Sequence, residues 1–390
     1  MEKLRQFEKP TGFRDFPPSM AVKKRLVEQR VQTCFERWGY REVLTPTLEY
    51  FDTVGAASAI PEYKMFKLID REGKTLVLRP DLTAPIARMV SSVLKEEPLP
   101  LRLFYHANVF RAQDDSARTV EFFQSGVELV GDPSPEADAE VIALAVEALS
   151  ACEISPFQLA VGHVELLDGL LHERVKDPQV VDQLKECLGV RDLVGYQERV
   201  ARLNLSPEQE ELLLLLSRQR GGKEWIESLR PQVRSPRVEA AIRHLVEMWE
   251  VLEDFGASRH VVLDLSLVGS IHYYTGVYFE GYALPSSFPL VSGGRYDRLP
   301  ERFGRPTPAT GFALKTDRVM EASPAADQGR ERVALVYPRA ARRAAIRRAQ
   351  ELRAEGKAVI LHAADDPDRP PEIDADRIIR WGEGEDERDG

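Results

Sequence analysis

Residues 267–282 read LVGSIHYYTGVYFEGY and hold five rings, Tyr273, Tyr274, Tyr278, Phe279 and Tyr282. Two alternating runs, 271–274 and 277–282, flank a Thr-Gly step. That pattern predicts a half-buried hairpin whose inward side chains line a cavity. Gly269 and Ser270 stand just before it, so a ring-rich wall begins with residues that have almost no side chain. Other candidates lie upstream. FRAQDDSARTVEFFQSGVELVG (110–131) carries Arg111, then Gln124 and Glu128 in alternation with apolar neighbours; LRPDLTAPIAR (78–88) carries Asp81 and Thr83. A flat apolar wall, a fixed cation, carboxylates and an amide are the parts of a small-molecule pocket. Each also has a plainer reading. Tyr273 and Tyr274 point to opposite faces of a strand, so one of them is free to be core packing. Gln124 and Glu128 fit a solvent-facing strand edge, Arg111 a structural ion pair, and His272 a satisfied polar residue.

The elements that must position these residues follow from the periodicities. Residues 21–38 read as an amphipathic helix ending at Gly39, and REVLTPTLE as a strand broken by Pro46. LVLRPDLTAPIARMVSSVL passes from strand to helix, with Asp81 and Thr83 at the helix start and Pro85 in its first turn. LRLFYHANVFRAQ and TVEFFQSGVELVG read as antiparallel strands joined by a mobile DDSAR connection. EADAEVIALAVEALSAC is a helix and FQLAVGH a strand. From about 170 to 255 Leu, Glu, Gln and Arg dominate, which predicts a helical insertion before strand pattern resumes at VVLDLSL. Strands on both sides of one helical block imply an α+β domain whose sheet is assembled from distant segments. We expect that domain over 1–325, a linker at 323–330, and a small α/β unit over 331–390 with an acidic tail.

Totals restrict the function. A net charge of -10 argues against a general nucleic-acid binder. No apolar run nears the roughly 20 residues that span a bilayer, and MEKLRQFEKP has no apolar core of a secretory signal. Cys34, Cys152 and Cys187 show neither metal-ligand spacing nor a disulfide framework, so no metal and a reducing cytoplasm are expected. The arginines at 342, 343, 347, 348 and 353 suit the solvated face of an Ala-rich helix, with an RNA-binding face as the sharper alternative.

Six stretches resemble class II aminoacyl-tRNA synthetases, and among them the histidyl branch. GYREVLTPTLE (39–49) resembles the dimer-forming first motif, FRAQDDSARTVEFFQSGVELVG the second, and GFALKTDRV (311–319) the third. LVGSIHYYTGVYFE, SGGRYDRL (292–299) and LRPDLTAPIAR resemble histidine-branch segments. The resemblance implies an antiparallel sheet flanked by helices, and a histidine pocket. Asp81, Thr83 and Gln124 would face the ammonium; Glu128, Tyr273 and Tyr274 would surround the ring, with Arg111 beside them.

Departures from the pattern fall on the nucleotide side. The arginine expected ahead of the tyrosines is Gly269; an acid is Gln113; small residues of the third motif are Lys315 and Thr316; and Val120 replaces a second arginine. Asp114 and Asp115 sit in the loop where ATP phosphates would lie. Losing one preorganised cation typically costs about 100- to 1,000-fold in rate. The sequence is therefore similar to the family of regulatory subunits of ATP phosphoribosyltransferase, retired synthetase paralogues without a cofactor. That resemblance implies activation of a short-form catalytic subunit, a hetero-octamer with it, self-association through the first motif, and histidine as ligand. A tail of about sixty residues, short for an anticodon-reading domain, points the same way. The alternative is an active histidyl-tRNA synthetase with unusual motifs.

Overall fold

Alternation of apolar with small or polar residues builds the central sheet and gives it two unlike faces. The computed structural model describes residues 8–112, 119–269, 274–284, 286–324, 330–364 and 372–381. The chain divides into two compact units, Met1–Ala325 and Ala326–Gly390. The first begins with helix α1 (Pro18–Arg37), strand β1 (Arg41–Glu42) and a small antiparallel sheet. That sheet is β2 (Leu48–Tyr50), β3 (Lys67–Ile69) and β4 (Thr75–Leu78), in the order β2-β4-β3. Helix α2 (Thr83–Ser91) leads to the long antiparallel pair β5 (Leu101–Phe110) and β6 (Glu121–Val130). The chain continues through α3 (Pro135–Ala151) and β7 (Phe157–His163).

Six helices follow: α4 (Val164–His172), α5 (Pro178–Gly189), α6 (Leu193–Ala201), α7 (Pro207–Arg218), α8 (Lys223–Glu227) and α9 (Pro236–Asp254). Their caps are written in the sequence. Ser206 and Gln209 form a reciprocal capping box on α7, with Pro207 in the first turn. The sheet then resumes with β8 (Val261–Leu263), β9 (Val277–Ala283), β10 (Val291–Arg295), the short α10 (Arg298–Glu301), β11 (Ala309–Lys315) and α11 (Thr316–Ala322). The strand order is β1-β5-β6-β11-β10-β9-β7-β8. It is antiparallel except at its margins, where β1 pairs parallel with β5 and β8 with β7. This is the α+β architecture expected.

The run 277–282 is part of β9, whose two edges are taken by β10 and β7. The other arm of the expected hairpin, 271–274, falls largely outside the described residues. An apolar alternation reports a strand but not its partner: β10 follows β9 closely, whereas β7 comes from more than a hundred residues earlier. Residues 270–273, hence Ser270, His272 and Tyr273, lie outside the described residues, as do Gln113, Asp114 and Asp115.

Register sorts the faces. Phe104 pairs with Val127, Val127 with Phe312, Phe312 with Gly293, and Gly293 with Phe279. With Leu129, Leu314 and Val161 these pack against α1, α3 and α9 in the main core. The opposite face carries Tyr105, Gly126 and Glu128 next to Ala313 and Gly311, and is roofed in part by α2 and α10. The second unit is a parallel three-stranded sheet, β12 (Arg332–Tyr337), β13 (Ala358–Ala363) and β14 (Arg377–Arg380), in the order β13-β12-β14. Helix α12 (Arg342–Ala354) buries Ala345, Ala349 and Leu352 there. Arg342, Arg343 and Arg347 of α12 are solvent-exposed. Among the described residues no helix is long and apolar enough to cross a membrane.

Candidate functional site

The polar face of the sheet is hollowed by its own composition. Across the strands, Glu128 stands opposite Gly311, Gly311 opposite Gly294, and Gly294 opposite Tyr278. The next row is Tyr105, Gly126, Ala313, Ser292 and Glu280, and beyond it Gln124 stands opposite Lys315. Glycine and alanine occupy the middle while acids, an amide, a lysine and tyrosines occupy the margins. Two of the glycines are required by close approach. A Cβ on Gly311 would press into the Glu128 carboxylate, and one on Gly126 would lie 2.5 Å from the Tyr105 hydroxyl. The result is a cavity of about 300 Å³.

Six of the seven residues singled out in the sequence line this one cavity: Asp81, Thr83, Arg111, Gln124, Glu128 and Tyr274. The seventh, Tyr273, is outside the described residues. Gln124 and Glu128 are buried, at 7% and 2% exposure, which removes the solvent-facing reading. Asp81 accepts from the Ala84 amide at 2.9 Å and from the Ser58 hydroxyl, so it caps the first turn of α2 while facing the cavity. Arg111 donates through Nε to the Pro80 carbonyl at 2.7 Å. That hydrogen bond ties β5 to the α2 entrance, so Arg111 lies beside Asp81 rather than along the sheet.

The carboxyl group of Glu128 is the most perturbed acid there. Burial pushes it up to about 8; hydrogen bonds from Tyr296 and Thr83 pull the other way, and the charge of Asp81 adds to the rise. Lys315 is its counterpart. Packed protein around its ammonium, with Arg318 and Arg111 nearby, pushes it down to about 7 against the pull of Glu280. Its Nζ donates to Ser292 Oγ at 2.9 Å. Glu280 accepts from the hydroxyls of Tyr278, at 2.6 Å, and Tyr282. Arg318 donates to the Pro289 carbonyl at 2.9 Å and lies over the exposed Phe288 ring at 4.9 Å.

Sequence reasoning missed Tyr105, Tyr278, Glu280, Tyr296, Lys315 and Arg318 as cavity residues. The signal was present in part. Gly311, Ala313 and Lys315 alternate with Phe312 and Leu314, and Tyr278 and Glu280 with Val277 and Phe279, so strand phase alone assigns them to one face. Thr316, a further departure from the synthetase pattern, is on the other face, where its hydroxyl meets Ser125 at 3.1 Å.

A family model of histidyl-tRNA synthetase matches residues 12–319. An ATP phosphoribosyltransferase regulatory subunit of Halalkalibacterium halodurans is 44% identical over 365 residues, covering 93% of this chain and 92% of that protein. Another, of Bacillus subtilis, is 44% identical over 356 residues and 91% of each chain. The chain belongs to the ATP phosphoribosyltransferase regulatory subunit family. The crystal structure of an ATP phosphoribosyltransferase regulatory subunit/histidyl-tRNA synthetase from Bacillus halodurans C is similar at TM-score 0.89 and 42% identity, over 96% of this chain and 98% of that one. Histidyl-tRNA synthetase of Nostoc sp. PCC 7120 shares the fold, at TM-score 0.81 and 19% identity over 92% and 86% of the chains.

In this member of the regulatory subunit family the ring-lined wall begins with glycine for a steric reason. A Cβ at Gly269 would lie 3.2 Å from Tyr274 and 3.3 Å from Tyr278, whose rings are 4.7 Å apart. The rings have closed over the place from which the synthetase pattern extends a guanidinium. Reinstating it is expected to fail. Gly269→Arg must displace a buried ring, which costs about 1–3 kcal/mol. We expect a lower unfolding midpoint by calorimetry and no gain in ATP–pyrophosphate exchange.

Proposed function

We propose that this chain is the non-catalytic regulatory subunit of a short-form ATP phosphoribosyltransferase. It activates the catalytic subunit at the first step of histidine biosynthesis and relays histidine feedback to it. The observation that carries this reading is 44% identity to proteins named for that role, over about nine-tenths of both chains. In this reading free histidine occupies the cavity. Asp81, Thr83 and Gln124 face its ammonium; Glu128, Tyr274 and Tyr273 surround its ring, with Arg111 alongside. The assembly is a cytoplasmic hetero-octamer with four copies of each subunit, and neither nucleic acid nor a membrane takes part. Copies of this chain associate through the first motif, 39–49, whose Leu44 and Leu48 are exposed to solvent. Feedback requires histidine to favour one arrangement of the assembly. The coupling is reciprocal, and about 1–3 kcal/mol suffices.

The test is to purify the full chain with a short-form catalytic subunit and to measure phosphoribosyl transfer with and without it. Faster transfer in the complex, inhibited by histidine, is expected. An unchanged rate overturns the proposal. One observation favours the alternative of an active synthetase: Arg111 and Arg318 both line the cavity. Histidine-dependent ATP–pyrophosphate exchange distinguishes the two, and we expect it at background.

A further inference from the structure

With Gly269 unable to offer a charge and two tyrosine rings packed against it, an amino acid in the cavity must find a partner for its carboxylate elsewhere. The sheet itself holds one. Lys315 ends β11, opposite Gln124, and its side chain leans back to Ser292. Ser292 pairs with Ala313, and Ala313 with Gly126, so the ammonium is drawn over the row where the floor is smallest. Glu128 stands one row further, two residues or ~7 Å along β6. Lys315 is half-buried as a residue, and packed protein surrounds its ammonium. Among the described residues no ion pair joins it to a carboxylate, and Ser292 takes one of its three donors. Glu280, on the same row as Ser292, is occupied by two tyrosine hydroxyls. A buried ammonium with donors to spare, aimed over a small-residue floor, is an incomplete ion pair.

We infer that Lys315, held in place by Ser292, is the residue that receives the α-carboxylate of the amino acid bound in this cavity. The inference rests on the reading that the cavity holds histidine, and it assigns the two ends of that ligand. The carboxylate lies over Gly126 and Ala313 against Lys315. The ammonium and ring then fall toward Asp81, Thr83 and Glu128, one row away. Arg111 and Arg318 also line the cavity, each hydrogen-bonded to a backbone carbonyl, and add positive potential around the same end. The lysine thus supplies from β11 a charge that the glycine at 269 does not supply. Selectivity follows from this: the cavity should discriminate by the presence of a carboxylate, and decarboxylated or reduced analogues of the ligand should bind poorly.

Calorimetry with histidine and histidinol, on the full chain alone and in complex with the catalytic subunit, tests this. Histidinol carries the ring and the ammonium but a hydroxymethyl group in place of the carboxylate. The unmodified chain is expected to prefer histidine by about 10- to 100-fold, the range for one charged hydrogen-bonded contact. In Lys315→Met, histidine should weaken by that factor and histidinol should change by less than about twofold, so that the preference collapses. Ser292→Ala keeps the charge and loses its tether, and should reduce the preference only several-fold. If the unmodified chain binds both ligands equally, or Lys315→Met keeps the preference, Lys315 is not the anchor, and histidine binding as such still stands. If the unmodified chain binds neither, the reading of the cavity falls with it. The first comparison needs no variant, so misfolding of Lys315→Met leaves the inference open to refutation.

Discussion

Arg295→Ala is expected to destabilise the first unit by about 3–5 kcal/mol, the cost of leaving one partner of a buried ion pair uncompensated. Arg295 is 5% exposed and donates through Nε to Asp138 at 3.0 Å. His244 of α9 bonds the same carboxylate oxygen at 2.8 Å. Further donations reach the Asp132 carbonyl at 3.1 Å, the Ser134 carbonyl at 3.4 Å and Asp297 at 3.3 Å. One side chain thus joins β10 to the start of α3, and through Asp138 to α9. Burial alone would raise the Asp138 carboxyl; the Arg295 charge and the His244 bond outweigh it and hold the group below its ordinary value. The sign of the pH dependence follows. With a depressed folded-state value, the contribution is present above the unfolded value and fades as pH falls through the folded one. A domain stability of about 5–15 kcal/mol leaves little after such a loss. Denaturant unfolding followed by circular dichroism checks it. The double change Arg295→Met with Asp138→Asn should recover part of the loss, because it removes the stranded charge as well as its partner. A loss below about 1 kcal/mol in Arg295→Ala would show that solvent reaches this network.

How much of this was readable without coordinates depends on distance along the chain. Helix ends were legible where their signals are local: Gly39 follows the end of α1, and Asp81 accepts from the Ala84 amide at the start of α2, with Pro85 in its first turn. The pair β5 and β6 was legible because the intervening connection is short and both strands alternate. The β7 partner of β9 was not, since β7 lies more than a hundred residues earlier and nothing in 277–282 encodes it. The same limit shaped the site. Asp81, Thr83, Arg111, Gln124, Glu128 and Tyr274 were assembled through motif resemblance, and one cavity contains them. Lys315 was read only as a departure from a nucleotide-binding pattern. Its position over Gly126 depends on the β11–β6 register, a long-range property that no local periodicity fixes. Glu128 and Lys315 sit on adjacent strands with opposite perturbations, and only the folded sheet relates them.

That relation predicts a flat-topped pH profile for histidine affinity. In the unliganded cavity Glu128 is pushed up to about 8, facing Tyr296, Thr83, Asp81 and Tyr105. Lys315 is pushed down to about 7, facing Arg318, Glu280 and Arg111. An amino acid whose ring N–H donates to Glu128 and whose carboxylate meets Lys315 binds best when both groups are charged. Below about 7 the lysine is charged and the acid is protonated, so each unit of rising pH multiplies the competent fraction about tenfold. Between about 7 and 8 the acid gains charge as fast as the lysine loses it, and affinity levels off. Above about 8 the acid is already ionised, and affinity falls about tenfold per unit. Calorimetry from pH 5.5 to 9, with each variant divided by the unmodified chain, removes the titration of histidine itself. Glu128→Gln should flatten the rising limb and Lys315→Met the falling one; limbs that stay parallel in both variants would rule the arrangement out. The same shifts set a cost on the empty cavity. Glu128 holds its proton while the unfolded chain gives it up, so stability is lost as pH rises from about 4.5 toward 8. For Lys315 the penalty is complete below about 7 and lifts as pH rises toward 10.5. At neutral pH the vacant cavity therefore disfavours both charges, and a histidine whose ring N–H meets Glu128 and whose carboxylate meets Lys315 relieves both penalties at once.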